Sequence, residues 1–152
     1  MEMKARPSKR QNKALKTREN LLRAGHIIFL EKGFQKATMT QINEYAKTGY
    51  GTAYLHFRNK DELFTVLMEN IMTQMYEVAD LPFHPQTKQE AYAQINRQTR
   101  LFLQLAIEEK DMMRLINEAT GVSAIVHEKW NHIRTRFITG ITKDITYVQQ
   151  AG

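Results

Sequence analysis

The groups in this sequence best suited to acting on a partner are gathered between Thr38 and Lys60, in the stretch TMTQINEYAKTGYGTAYLHFRNK. Hydroxyls, an imidazole and an ammonium follow one another there without an enzyme's constellation around them. The chain has no Cys, no Gly-rich phosphate loop, no His-Glu-x-x-His and no plausible nucleophile–base–acid set, so an enzyme is not expected. What these groups do suit is a nucleic acid. A hydroxyl, an imidazole N–H and an ammonium donate to phosphate oxygens, contacts that position a protein without reading sequence. Thr38, Tyr54, His56 and Lys60 are the candidate phosphate contacts, with Lys36 and Arg58 as supporting charges. Tyr50, Gly51 and Thr52 are the candidate base contacts. Tyr50 offers one hydrogen bond and a ring to pack on a thymine methyl, and Gly51 lets the backbone come close. None of the three makes the bidentate pairings of Arg with guanine or Asn with adenine, so readout should lean on shape and apolar contact. Taken singly, Tyr54 fits a half-buried core position better, and His56 an ordinary surface histidine better.

Two short helices would position these groups. Thr38 followed three residues later by Gln41 is a capping-box start. Met39, Ile42 and Ala46 then repeat at helical spacing and give one buried stripe. Lys47-Thr48-Gly49 interrupts the pattern, and a second helix from Tyr50 to Phe57 turns Ala53 and Phe57 inward. Two helices joined by a short turn containing Gly are the helix-turn-helix plan, whose second helix enters a major groove. In front of them, Thr17 is a suitable cap for a helix to Lys32, with Leu21, Ala24 and Ile28 inside. Gly33 supplies the stop, and Phe34 plugs the small core. Residues 1–16 carry six Lys/Arg and little to bury. They read as a flexible basic arm that follows phosphates, or as a solubilising tail.

Charge placement agrees with a front that meets a polyanion. Of the formal net +6, residues 1–60 hold 13 Lys/Arg against 4 Asp/Glu, and residues 61–152 hold 9 against 12. Apolar residues make up 42% of the chain, enough for a core, yet no apolar run is long enough to span a bilayer. No membrane role is expected. Nothing alternates at period two, so the class is all-α.

Behind Lys60 the sequence predicts four more helices. Asn59 caps one running to about Ala79, with Leu63, Val66, Leu67, Asn70, Ile71 and Val78 inward and Met68, Met72 and Met75 beside them. The loop from Asp80 to Pro85 breaks the chain. Thr87 with Glu90 opens a helix to about Glu108, lined by Tyr92, Ile95, Thr99, Phe102, Leu103 and Ala106. A short helix near Asp111–Ala119 precedes a long one from about Ser123 to Gln149. Trp130, Ile133, Phe137, Ile141, Ile145 and Val148 form its stripe. His127, Glu128 and His132 are scattered round the helix axis and are not read as a metal site.

The stretch from Thr17 to Leu63 resembles the N-terminal domain of the tetracycline-repressor (TetR/AcrR) family of bacterial transcriptional regulators. The resemblance is carried by Thr17-Arg18-Glu19, Leu22, Ala24, Phe29, Glu31, Gly33-Phe34, Thr38, Ile42, Ala46, Gly51-Thr52, Tyr54, His56-Phe57, Lys60 and Glu62-Leu63, in order and without a gap. The family usually has Ala-Gly-Val-Ser across the turn, where this chain has Ala46-Lys47-Thr48-Gly49. Asn43 stands where a small Ala is common. The resemblance implies three parts: the arm at 1–16, a DNA-binding domain at 17–60, and a helical effector-binding and dimerisation domain at 61–152. It adds Thr40 as a base contact. It also implies a cytoplasmic bacterial repressor that binds a palindromic operator in double-stranded DNA as a homodimer and is released by a small, largely apolar effector, with no cofactor or metal. Met72, Tyr92, Thr99, Phe102, Met113, Asn117 and Trp130 are the expected effector-pocket residues, by the usual mix of Met, aromatic and polar lining; plain bundle core is the competing reading for each. Family members continue past this point with two helices that form the dimer interface, so the resemblance implies a regulatory domain that is incomplete at Gly152, or a different mode of dimerisation. The alternative of another kind is a DNA-binding accessory or architectural protein with no effector.

Overall fold

The computed structural model describes residues 5–151; positions 1–4 of the expected arm lie outside the described residues. Among the described residues there are seven helices and no strand: α1 (Lys9–Lys32), α2 (Met39–Ala46), α3 (Tyr50–His56), α4 (Lys60–Ala79), α5 (Lys88–Glu108), α6 (Lys110–Val122) and α7 (Ala124–Ala151). The all-α class is as expected. No helix among them is long and apolar enough to cross a membrane. The chain divides into two compact units, one ending at Leu67 and the other beginning at Met68, within α4.

The first helix corrects the expected boundary. It starts at Lys9, so residues 9–16 are helix and not flexible arm. Ser8 Oγ accepts from the Gln11 amide at 3.2 Å while Gln11 Oε1 accepts from the Ser8 amide at 2.7 Å. This reciprocal cap satisfies two orphan donors, where Thr17 alone would satisfy one. The Lys, Arg, Gln, Ala and Leu of residues 9–16 then propagate the helix readily. Thr17 lies mid-helix, its hydroxyl donating to the Lys13 carbonyl at 3.0 Å. The far end stops at Gly33, where φ is 81° and the amide closes on the Phe29 carbonyl at 2.9 Å.

Three phenylalanines centre the first unit. Phe29 and Phe34 stack with centroids 5.7 Å apart, and Phe64 meets each edge-on at 5.1 Å. Leu21, Ile42, Ala53, Phe57 and Leu63 are buried around them. α1 comes so close to α4 at Gly25 that a Cβ there would lie 2.4 Å from a methyl of Leu63. The inner face of α4 differs from the expected one. Leu63, Phe64, Leu67, Met68, Met72 and Met75 are buried, whereas Asn70 is exposed and Val66, Ile71 and Val78 are only half-buried. Unbranched methionines fill irregular space better than β-branched residues, and periodicity alone does not say which of two adjoining stripes turns inward.

In the second unit, Thr87 caps α5 by accepting from the Glu90 amide at 3.1 Å, and Ser123 caps α7 by accepting from Val126 at 3.3 Å. α6 buries Met112, Leu115, Ile116 and Ala119, and the first half of α7 buries Val126 and Ile133. Phe137 packs against Tyr76 at 5.1 Å and Phe102 at 5.9 Å. Beyond Phe137 the α7 stripe does not close: Ile141, Ile145 and Val148 are exposed, as are Tyr92 and Leu103 on α5.

Candidate nucleic-acid interface

The helix-turn-helix is built by local chemistry. Thr38 Oγ1 accepts from the Gln41 amide at 3.2 Å, and Gln41 Oε1 accepts from the Thr38 amide at 3.1 Å. This spends an acceptor site of the Thr38 hydroxyl and leaves its hydrogen available to a phosphate. α2 ends at Lys47, which takes φ 54° and ψ 41°, left-handed geometry at the position where the family usually has Gly. Its amide donates to the Glu44 carbonyl at 3.2 Å, and Thr48 donates to Asn43 at 3.0 Å. A side chain there costs about 1 kcal/mol or more. Lys47→Gly is therefore expected to raise stability by about 0.5–1 kcal/mol, after the greater freedom of Gly in the unfolded chain is deducted. A thermal melt that fell instead would contradict it.

Asn43 lies inside this unit, 2% exposed, and among the described residues neither its side-chain oxygen nor its nitrogen has a hydrogen-bond partner. An unpaired buried amide costs about 1–3 kcal/mol. Truncation to Ala also loses packing, on the order of 0.5 kcal/mol for so small a void. Asn43→Ala should thus stabilise by about 1 kcal/mol; denaturant unfolding with a lowered midpoint would show that the amide is in fact satisfied.

The candidate contacts lie on the outside of the unit. Thr38, Thr40, Gly51, Thr52, Tyr50 and Tyr54 are exposed and His56 is half-buried. Tyr50 and Thr40 share a hydrogen bond between their hydroxyls, joining the start of α3 to the start of α2. The Tyr50 and Tyr54 rings lie 6.1 Å apart and nearly parallel. Two residues expected to touch bases and one expected to touch phosphate thus hold one another in place. Gly51 has open space where a Cβ would be.

Lys60 is different, and its assignment to phosphate is corrected. Its ammonium donates to the carbonyls of Phe34 at 2.7 Å, Gln35 at 3.0 Å and Ala37 at 3.0 Å, and lies 4.7 Å from the centroid of the Phe34 ring. An ammonium has three donors, and all are used. It ties the α1–α2 loop to the head of α4.

Arg18 was underrated. Its guanidinium donates to the His56 carbonyl at 3.2 Å and sits 4.4 Å over the Phe57 ring, pinning the end of α3. In the sequence it was one more charge; only the fold brings it beside His56.

The expected effector residues divide. Thr99 and Phe102 line a groove of about 450 Å³ between α5 and the C-terminal half of α7, with Phe83, Ile141 and Ile145 among its other walls. Met72, Tyr92, Met113, Asn117 and Trp130 do not line it. Met72 is buried, Met113 and Trp130 are half-buried, and Tyr92 and Asn117 are exposed. Residue type selected them, but which faces of α5 and α7 meet decides the lining.

Residues 21–67 match the family model described as bacterial regulatory proteins, tetR family. An uncharacterized HTH-type transcriptional regulator of Bacillus subtilis, YhgD, is 32% identical over 79 residues, covering 48% of this chain and 41% of YhgD. The HTH-type transcriptional repressor BepR of Brucella suis is 41% identical over 51 residues, covering 34% of this chain and 24% of BepR. The chain thus aligns with less than half the length of these relatives. In fold it is similar to SmeT, solved as a complex with triclosan, at a TM-score of 0.67 and 20% identity over 90% of this chain and 68% of SmeT. Residues 21–67 thus carry the N-terminal domain of the tetR family of bacterial regulatory proteins, and the fold of the chain is similar to that of SmeT.

Proposed function

We propose that this protein is a DNA-binding transcriptional regulator, a repressor, acting in the bacterial cytoplasm as a homodimer on a palindromic operator. The observation that carries the reading is the exposed row Thr38, Thr40, Tyr50, Gly51, Thr52 and Tyr54, with half-buried His56 beside it, on a helix-turn-helix whose first helix is closed by a capping box. Thr40, Tyr50, Gly51 and Thr52 face base edges, while Thr38, Tyr54 and His56 take phosphates. α1 adds a helical basic stretch with Lys9, Arg10, Lys13 and Lys16, all exposed. In a dimer, half-sites separated by about 34–36 Å or a multiple would receive the two recognition helices.

Control is by a small, largely apolar effector bound in the second unit, which favours a conformation with lower affinity for DNA. The shift can be no larger than the effector's differential affinity for the two states. BepR, a named repressor, and SmeT, solved with triclosan, support the two halves of this reading by analogy. The test is a labelled palindromic duplex titrated with purified protein, then challenged with ligand. Saturable, salt-sensitive binding at two protomers per duplex is expected, followed by release. Binding with no preference for a palindrome would overturn the operator reading; ligand that binds without releasing DNA would overturn the induction half.

A further inference from the structure

We propose that the groove between α5 and the C-terminal half of α7 binds an apolar amine, a compact aromatic or branched body bearing one protonated nitrogen that keeps its N–H bonds. The inference rests on the effector reading above and deepens it by naming the chemical class. The walls are chiefly apolar, Phe83, Phe102, Ile141 and Ile145 among them, and the volume of about 450 Å³ suits a drug-sized molecule.

One charge breaks this lining. Among the described residues that line the groove, Asp144 is the only acidic or basic one. Among the described residues its carboxylate makes no hydrogen bond and no ion pair, and Lys143, next in sequence, is the one charge that acts on it. Burial pushes its carboxyl above the ordinary aspartate value despite that lysine. A neutral apolar guest would desolvate this group further without compensation, and an anion would be repelled; an ammonium compensates it.

The neutral polar groups point the same way. The Thr99 hydroxyl donates to the Ile95 carbonyl at 2.8 Å, so only its acceptor capacity faces outward. Gln98 commits one amide N–H to the Val78 carbonyl at 3.5 Å, which leaves its carbonyl oxygen and its second N–H free, and the amide of Gln149 also lines the groove. Beside Asp144, the Thr99 hydroxyl and the amide oxygens offer acceptors that an N–H-bearing cation satisfies and a quaternary ammonium does not.

Four fluorescent probes of nearly one shape separate the possibilities: anthracenylmethylamine, its N,N,N-trimethyl derivative, anthracenylmethanol and anthracenecarboxylate. Fluorescence titration of the full chain is expected to give the amine a Kd lower than the alcohol's by about tenfold, with the trimethyl compound between them and the carboxylate weakest. Asp144→Asn should bring amine and alcohol to parity. Ile145→Arg, at an exposed position, and Thr99→Tyr, which fills the groove, should each abolish binding of all four. Equal binding of amine and alcohol, lost in both groove-closing variants, would overturn the amine inference and leave an apolar effector site standing. Binding of no probe, or binding indifferent to both variants, would overturn the site itself. So would sedimentation showing that a second copy covers the groove and that Ile145→Arg dissociates it.

Discussion

Lys60→Met is expected to destabilise the first unit by about 2–3 kcal/mol, because three charge-assisted hydrogen bonds to loop carbonyls disappear together. The thioether keeps the stem's apolar contacts but donates nothing to the carbonyls of Phe34, Gln35 and Ala37. Those groups belong to the loop that sets α2 against α1, and two of the three bonds are partly screened from water. A lysine that served only as a phosphate contact would behave otherwise. Its loss would leave the melt unchanged and lower the salt slope of DNA binding by about one. Circular dichroism melts and salt titrations of the same variant decide between them. An unchanged melting temperature would return Lys60 to the phosphate group.

Tyr50→Ala is expected to change which operator sequences are preferred, by about 1 kcal/mol at the affected base pair, the worth of a single hydrogen bond. Tyr50 is tied to Thr40 through their hydroxyls and lies beside the Tyr54 ring, so its removal frees the groups at the start of both helices. His56→Ala has another signature: a uniform loss across all sequences, since an imidazole N–H on a phosphate carries no base information. Competition binding against a panel of single-base operator variants reads both effects. If the two variants lost affinity by the same factor on every duplex, the division of roles along α3 would be wrong. His56 is also held through its carbonyl by Arg18, a backbone contact that survives the substitution, so the uniform loss reports the imidazole.

The sequence by itself determined the helix-turn-helix, its capping box at Thr38 and Gln41, the break at Lys47-Thr48-Gly49 and the outward-facing Tyr50, Thr52 and Tyr54. These depend on residues three or four apart, and short-range rules reach that far. It determined the cap at Thr87 and the core role of Phe34 for the same reason. It misplaced the start of α1 because Ser8 and Gln11 form the stronger cap, one equally local but passed over beside the charges around it. Tertiary structure alone decided the rest. A lysine's four-carbon stem reaches many acceptors, and only the folded loop shows that Lys60 finds three carbonyls. Periodicity says which residues share a face of α4, α5 or α7, but not which neighbouring face they meet. Hence Phe64 and Met68 replaced Val66 and Asn70 in the core, and the groove formed around Thr99, Phe102 and Asp144 and not around Tyr92 or Trp130.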